Sequence, residues 1–181
     1  MNRVQLFYKD LSEIAGSNGF SIVRLTDAGE RNVLCVICDK AMSEQLTIRF
    51  HRLPFHQQML PEVLLQMLES DGKADLELMV YDIIDGQYRV SLLNKRSLTL
   101  KPIRMSDAVL LHYISRIPLY IEEGLMRRQC SPYNAESCNI SVPINTLDTE
   151  HLTRELKRAI DEEDYRLASH LHEELQKRNK Q

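Results

Sequence analysis

Apolar residues in the first forty positions occur in short runs that turn-forming residues separate. The runs are RVQLFYK, FSIVRL and NVLCVICD, and the segments between them are GSNG and DAGE. Short apolar runs interrupted by Gly, Asn and Asp are typical of β-strands joined by turns. The pattern therefore predicts a meander of three strands at the start of the chain.

The spacing of apolar residues then changes to that of an α-helix. Two sets recur at helical intervals, and Pro61, which suits the first turn of a helix, precedes the second set. The first set is Met42, Leu46, Phe50 and Leu53, and the second is Val63, Leu64, Met67 and Leu68. We expect two helices to follow the three strands.

The next sixty residues return to strands with occasional helices. ADLELMVYDIIDGQYRVSLL predicts a hairpin that turns at Asp85-Gly86. A strand follows in RSLTLKPI, then a helix in SDAVLLHYIS, a short strand in IPLYIEE and a short helix in GLMRRQ. Runs of strands interrupted by a few helices indicate an α+β class. We expect residues 1–129 to form a mixed sheet with three or four helices.

The end of the chain has a different pattern. Residues 130–149, CSPYNAESCNISVPINTLDT, lack periodicity and predict a linker. Residues 150–181 then predict a two-helix hairpin, because apolar positions line one face of each helix. These positions are Leu152, Leu156, Ala159 and Ile160, then Tyr165, Ala168, Leu171 and Leu175. About thirty residues bury too little surface to be stable alone, so we expect the apolar stripe to bind a partner hairpin, a second copy or the main domain.

Charge gives little support for a nucleic-acid-binding surface. Residues 1–129 contain 16 basic and 16 acidic residues, and the remainder contains 7 and 10. Proteins that bind nucleic acid through its phosphates usually carry a basic excess or patch. Lys95, Arg96, Lys101 and Arg104 form a local basic cluster, which is either such a patch or an ordinary solvated face.

We expect a cytoplasmic location and no membrane insertion. No run approaches the ~18 apolar residues of a spanning helix, and Lys9 and Asp10 interrupt the N-terminus where a signal peptide would stay apolar. Cys35 and Cys38 form a Cys-x-x-Cys, but three residues along a strand place them on opposite faces. We therefore expect buried thiols rather than a zinc site, with a redox or metal sensor as the alternative.

The C-terminal segment LTRELKRAIDEEDYRLASHLHEEL resembles the UVR motif, a helical hairpin named for the bacterial excision-repair proteins UvrB and UvrC. The matching positions are Glu155-Leu156, Ala159-Ile160, Glu163-Asp164-Tyr165, Ala168 and Leu171, whereas Ser169 and His172 depart from it. The resemblance implies a hairpin that binds a protein partner, and a generic helical hairpin is the alternative.

Residues 1–129 resemble the bifunctional nuclease (BFN) domain family, some members of which carry a C-terminal UVR motif. RMSDAVLLHYISRIPLYIEEGLM carries the resemblance, with Arg104, Ser106, Asp107, Ala108 and Pro118 keeping the family pattern. The resemblance implies cleavage of RNA or DNA assisted by Mg²⁺ or Mn²⁺. In that interpretation Asp107 holds the metal or orients water, and Arg104 and Ser106 bind phosphate oxygens.

The residues also support a different interpretation. Ser106 would then be a helix N-cap, Asp107 a first-turn acid and Arg104 its salt-bridge partner. Pro61 and Met42 replace a histidine and a glutamate of the family, which favours a non-catalytic adaptor that binds partners through the hairpin. Self-association is expected in either case, through the hairpin stripe or an exposed sheet edge.

Overall fold

The computed structural model describes residues 2–13, 20–70, 75–133, 144, 147 and 149–178, without the side chains of residues 69 and 70. Within these ranges eight strands form one sheet: β1 (Arg3–Glu13), β2 (Ser21–Thr26), β3 (Asn32–Cys38), β4 (Leu76–Ile84), β5 (Gln87–Asn94), β6 (Thr99–Ile103), β7 (Leu119–Glu122) and β8 (Ser131–Pro132). The helices are α1 (Lys40–Phe50), α2 (Leu60–Ser70), α3 (Met105–Ser115), α4 (Glu123–Gln129), α5 (Thr149–Asp161) and α6 (Tyr165–Arg178), with a 3₁₀ turn at His56–Gln58. The predicted α+β class is confirmed.

The strand order in the sheet is β6-β5-β4-β7-β1-β2-β3-β8. Neighbouring strands are antiparallel except β4 and β7, which are parallel. The predicted meander β1-β2-β3 and the hairpin β4-β5 are both present. Asp85 and Gly86, with φ of 50° and 77°, form the left-handed turn that a two-residue hairpin favours.

The two borders of the sheet are β6 and β8. Pro102 lies within β6 opposite Ser91, and a proline has no backbone N–H to give to an additional strand. β8 comprises only two residues, which pair with Asn32 and Val33 of β3. Both borders therefore have features that discourage edge-to-edge pairing.

Helix α3 is the central element of the core. It contacts five strands, β1, β3, β4, β5 and β7, so the sheet must curl around it. Ala108 and Val109 on α3 are completely buried. The strand residues with no exposed surface around it are Leu6, Val23, Leu25, Leu34, Leu78, Val80, Leu119 and Ile121.

Helices α1 and α2 cover α3 incompletely. Asp39 caps α1 by accepting a hydrogen bond from the Met42 N–H at 2.8 Å, and Met42 is buried in the core. α2 packs on the core through Leu65. It is also held to α1 by Arg49, which donates two hydrogen bonds to the Glu62 carboxylate, at 2.5 and 2.7 Å.

Helices α5 and α6 form the predicted hairpin and bury a small core between them. Residues Ile144 and Leu147 of the predicted linker pack against this core. The Arg178 guanidinium donates to the Leu147 carbonyl at 2.6 Å, and Gly86 lies so near that a Cβ on it would be 2.5 Å from the same oxygen. The hairpin thus meets the β4–β5 turn of the main domain. Of the predicted linker, residues 134–143, 145, 146 and 148 lie outside the described residues.

Candidate functional site

The sequence pattern RMSD lies at the start of α3, directly after strand β6. Arg104 has extended backbone angles and is the N-cap of α3, and its carbonyl accepts the Ala108 N–H at 3.0 Å. Ser106 is therefore inside the first turn, so its interpretation as the N-cap is wrong. The Arg104 side chain makes no capping hydrogen bond to α3. Uncapped N–H groups at the start of a helix can bind an anion.

Arg104 and Asp107 bind each other. The guanidinium Nε lies 2.7 Å from Asp107 Oδ2, and Nη2 lies 3.1 Å from Oδ1. This hydrogen bond, together with the Asp107 charge and a smaller contribution from Asp39, raises the pKa of Arg104. The Arg104 side chain is nevertheless 73% exposed, so Asp107 holds it in place without removing it from solvent.

A cavity of about 480 Å³ opens beside the α3 N-terminus. It lies between β3 and the β5–β6 pair, strands that have four others between them in the sheet order. The curl of the sheet around α3 therefore creates it. Its lining residues are Val36, Ile37, Tyr81, Gly86, Gln87, Tyr88, Arg89, Val90, Pro102, Ile103, Arg104, Met105 and Ser106.

The side chains that line the cavity suit a ligand that carries both an anionic group and a planar ring. Arg89 and Arg104 supply two guanidinium groups and Ser106 supplies a hydroxyl. Arg89 forms no ion pair with the residues that the structure describes. Guanidinium groups bind phosphate oxygens through charge-assisted hydrogen bonds. Tyr81, which is 45% exposed, offers an aromatic surface at the same site.

The predicted catalytic residues are thus partly brought together. Arg104 and Ser106 line the cavity, whereas Asp107 adjoins it through Arg104. Sequence reasoning missed Arg89 and Tyr81, which come from β5 and β4, because no local motif marks them. It also missed Asp39, although its position directly after a buried strand and before a helix marks it as a cap.

The positions where the chain departs from the BFN pattern lie elsewhere. Met42 is 6% exposed within the core, and Pro61 is in the first turn of α2. Glu62, the residue that follows Pro61, forms an ion pair with Arg49. None of the three lines the cavity.

Other candidate residues have structural surroundings. Cys35 packs with Ile22 and Val33, whereas Cys38 belongs to the main core, which confirms that they face opposite sides of β3. Burial raises the pKa of both thiols, that of Cys38 to about 12. Cys138 lies outside the described residues. Over the described ranges, no three His, Cys, Asp or Glu side chains come together as a metal site.

The histidines do not line the cavity, and of the basic cluster only Arg104 does. His112 is buried and its Nδ1 donates to the Ile117 carbonyl at 2.8 Å. His51 is the C-cap of α1, and His56 Nδ1 lies 2.7 Å from the Leu53 carbonyl oxygen. In the basic cluster, Lys95 forms ion pairs with Glu77 at 3.1 Å and with Asp75 at 3.6 Å, which neutralises its charge.

The predicted partner-binding residues of the hairpin divide into three groups. Leu152, Ala168 and Leu171 are buried within the hairpin itself. Leu156 and Leu175 pack partly against the same core. Ile160 and Tyr165, at 52% and 69% exposed, lie beside the turn between the helices. Most of the apolar stripe is thus covered within the chain, and the tip of the hairpin is the part that remains exposed.

No protein-family model matches the chain, and no curated protein sequence matches it either. Among the helices of the described ranges, none has the length and apolar character needed to cross a membrane.

Proposed function

We propose that the cavity binds a phosphodiester of single-stranded RNA or DNA, and that the protein cleaves it as a divergent phosphodiesterase of the BFN type. The observation that supports this proposal is the convergence of Arg89, Arg104 and Ser106 on one cavity. Because residues 1–129 are neutral overall, binding depends on this local pair of cations rather than on a broad basic surface.

Each residue has a role in this proposal. In the proposed hydrolysis, a water molecule attacks the phosphorus and gives up a proton to solvent, while one P–O ester bond breaks and the leaving oxygen takes up a proton from solvent. Arg89 and Arg104 contact the non-bridging phosphate oxygens, and their charge stabilises the negative charge that grows there during cleavage. Ser106 donates a hydrogen bond to one of these oxygens. Asp107 is a positioning residue, because it fixes the Arg104 guanidinium. The exposed ring of Tyr81 stacks on a base, which selects single strands.

A resident Mg²⁺ or Mn²⁺, which the family resemblance implies, does not fit the described residues. The acids that act on Arg104 at the α3 N-terminus are Asp107, which binds it, and Asp39, which caps α1. No third ligand joins them in the described part of the chain. We therefore assign no step to a bound metal and test the metal requirement directly.

The test measures binding and cleavage of labelled single-stranded RNA and DNA with Mg²⁺, Mn²⁺ or chelator. Arg104→Gln should weaken binding about tenfold or more and lower the slope of log affinity against log salt by about one. Arg127→Gln is the matched control, since Arg127 is 75% exposed and pairs with Glu123 on its own helix but lies outside the cavity. Equal binding by the two variants would refute the site, and cleavage that is undiminished in Arg104→Gln would indicate a contaminant.

An adaptor is the second candidate function, because Ile160 and Tyr165 remain exposed at the hairpin tip. An Ile160→Arg, Tyr165→Ser variant should lose a protein partner while keeping its fold. Retention of every partner by that variant would exclude the hairpin as the binding surface.

We place the activity in the cytoplasm. Cys35, Cys38 and Cys130 are free thiols in the structure, as is usual in a reducing compartment.

A further inference from the structure

The outer side of α2 and the segment before it carry a large exposed apolar surface. Within α2, five residues at helical spacing are 37–69% exposed: Leu60, Val63, Leu64, Met67 and Leu68. Three more precede the helix with 38–66% exposure: Phe50, Leu53 and Phe55. We call these eight residues the α2 face. Monomeric proteins seldom leave so many large apolar side chains in one stretch exposed.

The size of the α2 face matches one side of a stable protein interface. The exposed fractions of its eight residues add up to the surface of about four fully exposed residues. At roughly 150–200 Å² for each such residue, this is roughly 600–800 Å². A standard interface buries about 800 Å² on each partner. The α2 face alone thus supplies most of the area that a dimer requires.

The charge pattern favours a second copy of this chain. In a twofold contact the same residue lies opposite itself near the axis, so a charged residue there would meet its own charge. The five exposed apolar positions of α2 form a neutral stripe. Glu62 is held on the inner side by Arg49 and does not disturb it. Homodimer interfaces are also the more apolar class of protein interface.

Two other occupants fit less well. The C-terminal hairpin uses its own apolar stripe internally, with Leu152 and Leu171 at 0% and 1% exposed. An anionic membrane surface would call for basic residues around the apolar stripe. Residues 50–70, which carry the α2 face, contain two glutamates and a single Lys or Arg residue, Arg52.

We propose that two copies of the chain associate through their α2 faces, with the α2 helices packed across a twofold axis. The contact buries the eight exposed apolar residues of each copy. It lies away from the cavity beside α3 and does not depend on the phosphodiester-binding proposal.

Light scattering coupled to size exclusion, over a range of concentrations of the full chain, tests this contact. The wild-type protein should be a dimer, and Leu64→Arg should raise the dimer dissociation constant by about 30-fold or more, as for a central interface residue. Ile160→Arg is the matched control, because Ile160 is also on a helix and is 52% exposed against 50% for Leu64. This control should remain dimeric.

Charge complementation separates a lost contact from a lost fold. Leu64→Arg and Leu64→Glu should each be monomeric alone and should form a mixed dimer when combined. If either variant fails to fold by circular dichroism, Leu68→Arg and Leu68→Glu replace the pair. A monomeric wild-type protein, dimers in both Leu64 variants, or monomers produced by Ile160→Arg alone would overturn the proposal. Phosphodiester binding by the Leu64 variants should equal that of the wild type.

Discussion

The ion pair between α1 and α2 is the interaction whose removal should be most informative about stability. The Arg49 side chain is 2% exposed and Glu62 is 12% exposed. Besides its two bonds to Glu62, Arg49 donates from Nη1 to the Gln45 carbonyl at 2.8 Å and to Gln45 Oε1 at 2.9 Å. One buried guanidinium therefore makes four hydrogen bonds. Arg49→Met would leave the Glu62 carboxylate mostly buried without its cation.

Removing one member of such a buried pair costs about 3–5 kcal/mol, because the remaining charge stays desolvated. For a chain of this size, 1 kcal/mol corresponds to about 2–4 °C in Tm. We therefore expect Arg49→Met to lower Tm by about 6–20 °C. The Arg49→Met, Glu62→Leu double variant should recover much of the loss, since neither charge is then left alone.

Urea unfolding followed by circular dichroism, at one fixed protein concentration, measures these differences. Arg127→Met is the control, because its pair with Glu123 is exposed and should contribute less than about 1 kcal/mol. A loss below about 1 kcal/mol for Arg49→Met would refute the reasoning. A double variant no more stable than Arg49→Met would do so as well.

Three further predictions concern buried groups and one turn. Burial holds the pKa of His112 below its usual value of about 6.5. As pH falls, the unfolded chain therefore takes up a proton at this histidine before the folded protein does. The free energy of unfolding should decrease as pH drops below about 6.5 and level off below the folded pKa. Urea titrations of His112→Gln should show a smaller dependence on pH. Cys38, with its pKa raised to about 12, should react with a thiol reagent only at the rate of unfolding, whereas rapid labelling of the folded protein would contradict its burial. Gly86→Ala should cost about 1–3 kcal/mol, because φ is +77° and the added Cβ meets the Leu147 carbonyl; unchanged thermal stability would show that this contact yields easily.

Local patterns in the sequence predicted most elements correctly. The strands of the meander, the Asp85-Gly86 turn and helix α3 each depend on neighbouring residues, and all three are present. Helical spacing also located α1, but Leu53 lies beyond its end and Phe50 is 66% exposed. Periodicity identifies a face and cannot say what covers it.

The same limit explains why the sequence did not predict which of two apolar surfaces, the hairpin stripe or the outer side of α2, is left exposed. The sequence predicted that the hairpin stripe binds a partner hairpin, a second copy or the main domain, yet Leu171 is buried in the core of the hairpin itself. It gave no reason to expect that Leu64 of α2 is half exposed. The cavity could not be predicted either, because Arg89 and Arg104 line the same cavity only after the sheet curls around α3. Such long-range geometry has no counterpart in local spacing.

The borders of the sheet limit how far association can proceed. Pro102 interrupts the backbone donors of β6, and β8 is too short to template another strand. A contact through α2 uses the same patch on both copies and is complete once two chains have met. Growth into fibrils would need strands of different copies to pair, which Pro102 in β6 and the two-residue length of β8 discourage. We therefore expect high concentrations to give a saturating dimer and no lengthening polymer.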